Sequence, residues 1–186
     1  MVLARYERRF GGAGTIVTLA DGSAFTAAHC VAAVDGRRGT VLAGVDGRQW
    51  RVVRRWSPRG HDVAWLEAVG PVRMRPRGPA GAVSLAPPDV LRPGVGIVFS
   101  AYTGRRFTRR RAVVVAVSAT RAVAEVRTPA GVGDGDSGGP VLVEGHLAGI
   151  VVARLGAPRP AGASSHVVVT RLDLHAFCTK STRLAF

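Results

Sequence analysis

Short apolar segments rich in valine recur along most of this chain, and turn signals such as Asp-Gly pairs separate them. These segments cover residues 15–20, 23–28, 40–45, 50–56, 62–69, 96–102, 112–117, 122–127, 139–145, 147–155 and 166–172. Short β-branched segments at close, regular spacing are typical of strands in a sandwich or barrel. Long helical periodicity is absent, and only residues 172–178 favour a short helix. The pattern therefore predicts an all-β protein with a short C-terminal helix.

A proline-rich stretch divides these segments into two sets of similar size. Residues 70–94 contain six prolines, and clusters of proline and glycine are typical of a linker. Two small antiparallel barrels joined by this linker account for the pattern. We expect the N-terminal barrel over residues 1–78, the connector over residues 79–94 and the C-terminal barrel over residues 95–186.

The formal net charge of the chain is +14, and nearly all of its positive charge is arginine, since Lys180 is the only lysine. With abundant alanine, glycine and valine, this bias is typical of a GC-rich genome, so it is weak evidence for a polyanionic ligand. A basic surface still attracts RNA or acidic partners at low salt. The arginine-rich run at residues 105–111 is open to two interpretations, a solvated hairpin, which we favour, or a nucleic-acid patch.

Several kinds of site lack their sequence signatures. The chain has no Gly-Lys-Ser/Thr phosphate loop and no CxxC, HExxH or EF-hand pattern, and its five histidines are scattered. We therefore expect no metal and no cofactor. No apolar stretch approaches the roughly 20 residues that span a bilayer, so we expect no membrane span.

We expect the chain to work in the cytoplasm or as a domain of a larger precursor. Residues 1–14 carry charges where a signal peptide has its apolar run. The two cysteines, Cys30 and Cys178, can form at most one disulfide, and small secreted folds usually contain more. We therefore expect both to be thiols in a reducing compartment.

The string Gly-Asp-Ser-Gly-Gly-Pro at residues 135–140 has the features of a nucleophile turn. A nucleophilic serine, here Ser137, needs its hydroxyl on a tight turn and backbone N–H groups aimed at the developing oxyanion. Gly135 can adopt the conformation that points its N–H inward. Asp136 can anchor the turn through a buried carboxylate.

Two further strings supply the partners that a serine nucleophile needs. His29 lies in Thr-Ala-Ala-His-Cys, at the end of a predicted strand, where small neighbours leave room for an imidazole that acts as general base. Asp62 opens the apolar segment 62–69, a position from which its carboxylate can orient that imidazole.

These three strings, in the order His, Asp, Ser, resemble the chymotrypsin-like (trypsin-fold) serine proteases. Other serine hydrolases use a different order. The resemblance implies two six-stranded antiparallel β-barrels with the site in the cleft between them. It also implies a serine endopeptidase that forms an acyl-enzyme on Ser137, with His29 as general acid–base, Asp62 as orienting carboxylate and the N–H groups of Gly135 and Ser137 as oxyanion hole. The implied partner is a polypeptide substrate, and we expect a monomer.

The chain departs from the larger secreted members of this family in ways that bear on its role. The intervals 62−29 = 33 and 137−62 = 75 residues are short, as in compact viral and bacterial members. No Ile/Val-rich start follows an activation cleavage site, so Asp136 needs a partner other than a new N-terminus, and Arg105 and Arg106 are the candidates. A role in viral polyprotein processing or intracellular regulation is therefore expected.

The same resemblance implies a substrate pocket. Its residues are Gly131, Val132, Asp134, Val152, Ala153 and Arg154. Gly131 stands where trypsins carry aspartate, which disfavours Arg or Lys at P1, the substrate residue whose carbonyl is attacked. Arg154 leaves two alternatives: it binds an acidic P1 side chain, or Asp134 neutralises it and P1 is small or apolar, the alternative we slightly favour. The substrate is expected to add a strand beside residues 152–154.

A different class of function stays open beside the enzyme. The chain can instead be a protease-fold binding module whose basic surface holds RNA or an acidic partner. Labelling by a fluorophosphonate separates the two, because only an activated serine reacts.

Overall fold

The computed structural model describes residues 2–7, 13–18, 23–32, 41–43, 49–56, 61–68, 84–87, 89–103, 106–127, 132–155 and 165–172. These residues form an all-β fold, as predicted. The strands are β1 (Val2–Glu7), β2 (Ala13–Thr18), β3 (Ser23–Thr26), β4 (Val41–Ala43), β5 (Gln49–Trp56), β6 (Val63–Ala68), β7 (Gly96–Thr103), β8 (Arg106–Val117), β9 (Arg121–Val126), β10 (Pro140–Val143), β11 (His146–Leu155) and β12 (Ser165–Arg171). Each apolar segment of the sequence overlaps one of them, and β1 is the described strand that the sequence did not predict.

The first six strands form one antiparallel sheet with the order β1-β2-β3-β6-β5-β4. In its centre, Phe25 of β3 lies opposite Val17 of β2 and Trp65 of β6. Ile16 and Leu66 are fully buried against this centre. Strands β1 and β4 stand at the two ends of the hydrogen-bonded order, and the closure of this sheet into a barrel stays a prediction.

The last six strands form a closed barrel with the order β10-β11-β12-β9-β8-β7. Pairing of β10 with β7 closes it, with Val141 opposite Phe99 and Leu142 opposite Val98. Phe99 and Val141 are buried inside, because alternate residues of each strand point into the barrel. The predicted C-terminal barrel is therefore confirmed.

Apolar packing joins the two halves. The cluster that contains Ile16, Val63 and Leu66 of the first sheet also contains Leu147 and Ile150 of β11. The first sheet thus covers one wall of the barrel with side chains that water does not reach. This shared core fixes the junction between the halves, where the site lies.

The described end of the connector is fastened to the barrel. Leu85 forms a parallel bridge with Leu147, and backbone bonds run from Ala86 N to Leu147 O (2.9 Å) and from Leu147 N to Ser84 O (2.9 Å). The rest of the connector before Ser84 lies outside the described residues, as does the predicted helix at 172–178 except for Leu172, which is buried. The division of the chain at residues 78 and 94 stays a prediction.

In the part of the chain that the structure describes, no helix has the length and apolar character that crossing a membrane requires.

Candidate active site

His29 and Asp62 meet at the edge of the first sheet. His29 lies on a short 3₁₀ helix, Ala28–Val31, that follows β3 directly, and its ring is half-exposed while its neighbours on this helix are buried. Asp62 immediately precedes β6. Its Oδ1 accepts a hydrogen bond from the backbone N–H of His29 (2.8 Å), and its Oδ2 lies 2.5 Å from His29 Nδ1. The two contacts fix both the ring and the carboxylate.

Each group changes the protonation of the other. Hydrogen bonding to Asp62, and then to Cys30, raises the pKa of His29 from its usual 6.5 to about 10. Burial disfavours the charge on Asp62, but the hydrogen bonds and the charge of His29 outweigh this effect and lower the pKa of the carboxyl. In the resting state the pair is therefore an imidazolium and a carboxylate at neutral pH, and His29 becomes a base as the pH rises.

Cys30 contacts the other side of the same imidazole. Its Sγ lies 3.4 Å from His29 Nε2, and the residue is buried. Cys30 is a thiol, as predicted, whereas Cys178 lies outside the described residues. The sequence indicated a small buried side chain here but not its contact with the ring, because that contact depends on the rotamers of two adjacent side chains.

Ser137 lies on a turn that its neighbours hold tightly. Asp136 N donates to Gly133 O (3.2 Å), Gly139 N donates to Asp136 O (3.0 Å), and Gly133 N donates to the Asp136 carboxylate (2.8 Å). Gly135 and Gly138 flank the centre of the turn with φ of 96° and 84°, a left-handed conformation that side chains disfavour. The glycines of this string are therefore required by the backbone, and Ser137 stays half-buried at the tip.

Thr15 of β2 fastens this turn to the first sheet. Its N–H donates to Ser137 O (2.8 Å) and its hydroxyl donates to Gly135 O (3.0 Å). Its own carbonyl accepts from the hydroxyl of Thr26 (2.9 Å), three residues before His29. The turn with Ser137 and the helix with His29 thus share one junction.

The approach at this junction is close enough to exclude a side chain at Gly138. A Cβ there would lie 2.1 Å from Thr15 O and 2.4 Å from the Thr26 hydroxyl. A further bond across the halves runs from Asp62 N to the hydroxyl of Thr170 on β12 (3.4 Å). Hydrogen bonds of threonines therefore join the elements that carry His29, Asp62 and Ser137. Nothing in the sequence indicated this role, because these threonines lie within ordinary strand segments.

A buried ion pair anchors the turn from inside the barrel. The carboxylate of Asp136 contacts the guanidinium of Arg110 on β8, and both side chains are buried. The expectation that Arg105 or Arg106 supplies this charge is wrong. Arg110 is in phase with the inward-facing Ala112 and Val114, so the alternation of the strand points its side chain into the barrel.

Comparison with known proteins identifies the fold and the family. The family model for trypsin matches residues 9–173, most of the chain. The chain belongs to the trypsin family. This family consists of chymotrypsin-like serine proteases, in agreement with the resemblance of the three strings.

Solved structures of trypsin-like proteases share the fold at low identity. The serine protease of human pathogenic astrovirus is 20% identical, with a TM-score of 0.63 over 95% of this chain and 92% of that chain. An inactive mutant form of Rv3671c from Mycobacterium tuberculosis is 22% identical, with a TM-score of 0.64 over 99% and 88%. Kallikrein-related peptidase 10 in complex with zinc is 19% identical, with a TM-score of 0.69 over 97% and 95%. A comparison with curated proteins gives no match.

The region expected to form the substrate pocket of this trypsin-family chain is lined by β11 and the turn before Ser137. Val132 and Val152 are buried, Ala153 is exposed, and Gly131 lies outside the described residues. The exposed Arg154 reaches across from β11, and its Nη1 donates to Val132 O (3.4 Å). Asp134 is also exposed, and among the described residues no ion pair joins it to Arg154.

Among the residues that the structure describes, no group of three or more His, Cys, Asp or Glu side chains could hold a metal ion.

Proposed function

We propose that this trypsin-family chain is a serine endopeptidase that cleaves polypeptides through an acyl-enzyme. Ser137 is the nucleophile, His29 the general acid–base and Asp62 the carboxylate that orients the ring. The observation that carries the proposal is the two-point contact of Asp62 with His29 at the junction to which Thr15 fastens the Ser137 turn.

The proton path follows from the two ring nitrogens of His29. When His29 is neutral, Asp62 holds its single ring proton on Nδ1, which leaves Nε2 to take the proton of Ser137 and later deliver it to the leaving amine. In the resting structure Nε2 faces the thiol of Cys30 at 3.4 Å. A thiol is a weak hydrogen-bonding group, so the Ser137 hydroxyl can replace it when the substrate completes the site.

The oxyanion hole of this mechanism consists of the backbone N–H groups of Gly135 and Ser137. No hydrogen bond to another described residue engages either group. Thr15 accounts for the carbonyl of Gly135, and the positive φ of this glycine sets the orientation of the adjoining peptide. Two donors that are fixed before the reaction stabilise the developing negative charge without reorganisation.

The proposed cellular role is processing of a polyprotein or intracellular regulation. The support for it is the short separation of the three reactive residues in sequence, which leaves little chain for long surface loops. We propose that the chain acts as a monomer with the domain division given above.

A mixed peptide library tests the activity. The wild-type protein should produce new peptide termini, and a folded Ser137→Ala protein should produce none. The matched control is Ser118→Ala, which removes an exposed hydroxyl from the β8–β9 turn and should cleave like the wild type. Equal cleavage by the wild type and Ser137→Ala would show that the hydrolysis comes from elsewhere.

A second candidate function is a binding module that holds RNA or an acidic partner. The observation that favours it is the exposed basic side of β8 and β9, with Arg109, Arg111 and Arg121 facing solvent. Retention of RNA by the Ser137→Ala protein at low salt, lost at high salt, would support it. An absence of retention at low salt would rule out the RNA partner.

A further inference from the structure

The side of β11 that faces away from β12 is open beyond Val151. Pairing of β11 with β10 extends from Val143 and His146 to Pro140 and Ile150, and the last backbone bonds on this side join Val151 to Gly138 (2.7 Å) and Gly139 (2.8 Å). Beyond this point, β12 is the only described strand that pairs with residues 152–155. An extended peptide that adds a strand to this open edge lies directly beside the turn that carries Ser137.

The side chain of such a peptide that points between β11 and this turn meets Arg154. Val132 and Val152, which flank this position on the turn and on β11, are buried in the two cores, and the exposed Arg154 guanidinium crosses from β11 toward the turn. Its contact with Val132 O, at 3.4 Å, is long for a hydrogen bond. A guanidinium has five N–H donors in a planar fork, so most of them stay available to a ligand.

No carboxylate in the described part of the chain forms an ion pair with Arg154. Asp136 pairs with Arg110, and Glu125 pairs with Arg127 at 3.6 Å. Residues 126–133 and 145–172 contain neither Asp nor Glu, and these segments include both walls around Arg154. The remaining carboxylate, that of Asp134, is exposed and forms no ion pair with Arg154 in the described part of the chain.

We propose that Arg154 selects a carboxylate side chain, Asp or Glu, at P1 of the substrate. A planar carboxylate accepts two parallel hydrogen bonds from a guanidinium, an arrangement that fixes its position as well as adding binding energy. This inference rests on the proposed peptidase function and names its substrate class. It replaces the slight preference for uncharged P1 residues, which depended on a pairing of Arg154 with Asp134.

Four fluorogenic peptides that differ only at P1, with Glu, Gln, Ala or Lys, test the inference. The kcat/KM of the wild type should be at least about tenfold higher for Glu than for Gln, since a hydrogen bond between charged groups contributes about that factor or more. The peptide with Lys should be the poorest, because the cation repels it. A Glu-to-Gln ratio below about two would overturn the inference without any variant.

Two arginine variants locate the selectivity. Arg154→Gln should reduce the Glu-to-Gln ratio to near one. The matched control is Arg171→Gln, because the Arg171 guanidinium also donates to a backbone carbonyl, that of Ser118 at 3.0 Å, but on the opposite side of β12 from this edge. A Glu preference that persists in Arg154→Gln would assign the selectivity to another residue and overturn the inference.

Fluorophosphonate labelling distinguishes a failure of the P1 preference from a failure of the peptidase function. A wild-type protein that is labelled on Ser137 but shows no preference for Glu is a peptidase with a different specificity. A folded protein that is neither labelled nor active on any of the four peptides contradicts the peptidase function, and this inference fails with it.

Discussion

Removal of the Arg110 charge should destabilise the protein more than any other single arginine substitution on β8. In Arg110→Met the stem of the side chain stays similar in length, but the buried carboxylate of Asp136 loses the cation that it contacts. The side chains of Arg110 and Asp136 are only 4% and 1% exposed, so water cannot replace the lost partner. The contact of the guanidinium with the ring of Phe99, 5.6 Å from its centroid, is lost as well.

The expected loss is about 3–5 kcal/mol of unfolding free energy, the usual cost of leaving one member of a buried ion pair without its partner. The cation–π contact adds roughly 0.5–2 kcal/mol. A typical domain has about 5–15 kcal/mol in total, so the variant should be close to its stability limit. With a urea m-value of about 2–3 kcal/mol/M, the combined loss of about 3.5–7 kcal/mol should lower the midpoint of unfolding by about 1–3.5 M.

Urea titration followed by circular dichroism measures this change, with Arg109→Met as the matched control. Arg109 is the exposed neighbour on the same strand, and its variant should stay within about 0.5 kcal/mol of the wild type. Adding Asp136→Asn to Arg110→Met should recover most of the loss, because the buried charge disappears with its partner. If Arg110→Met and Arg109→Met unfold at the same urea concentration, the ion pair does not anchor the turn and this reasoning is wrong.

Three further predictions concern the site. Asp62→Asn should lower kcat by about four decades, because the amide holds the wrong imidazole tautomer, and near-normal turnover would identify a different orienting carboxylate. Gly138→Ala should abolish activity and destabilise strongly, because its Cβ would meet two oxygen atoms at 2.1 and 2.4 Å. The matched control is Gly94→Ala, because Gly94 has a similar φ of 87° but open space around it, and its substitution should cost only about 1 kcal/mol of unfolding free energy. If urea titrations give the same loss for both variants, backbone strain and not the close contact causes the destabilisation. The kcat/KM should rise with pH at values above 6.5, because neutral His29 is the base and the pKa of its ring is raised. Cys30→Ala should move this rise to lower pH, because it removes one of the hydrogen bonds that raise the His29 pKa. A rise that is complete below pH 6 would contradict the assignment of His29 as the base.

The strands could be predicted because their signals are local. A valine-rich segment between turn residues indicates a strand, whichever other strand it pairs with. Strand β1, Val2–Glu7, escaped prediction because charged residues interrupt its apolar pattern. Only its pairing with β2, from Val2 opposite Thr18 to Glu7 opposite Ala13, reveals it, and this partner is set by the tertiary fold.

The candidate site could be predicted where residue types form a contiguous string. The contact between His29 and Asp62 agrees with the sequence-based expectation. The partner of Asp136 was placed near the correct position but at the wrong residue, because the inward phase of β8 depends on its pairing with β7 and β9. No sequence pattern indicates that Thr15 binds the Ser137 turn, since its hydrogen bonds depend on where the barrel meets the first sheet.

The assignment of Ser137 as a nucleophile activated by His29 is tested most directly by reacting the folded protein with a fluorophosphonate and mapping the adduct by peptide mass spectrometry. We predict one adduct, on Ser137, in the wild type, and a reaction that is slower by several decades in His29→Ala. A folded wild-type protein that carries no adduct, or carries it on another serine while Ser137 stays unmodified, would contradict the account.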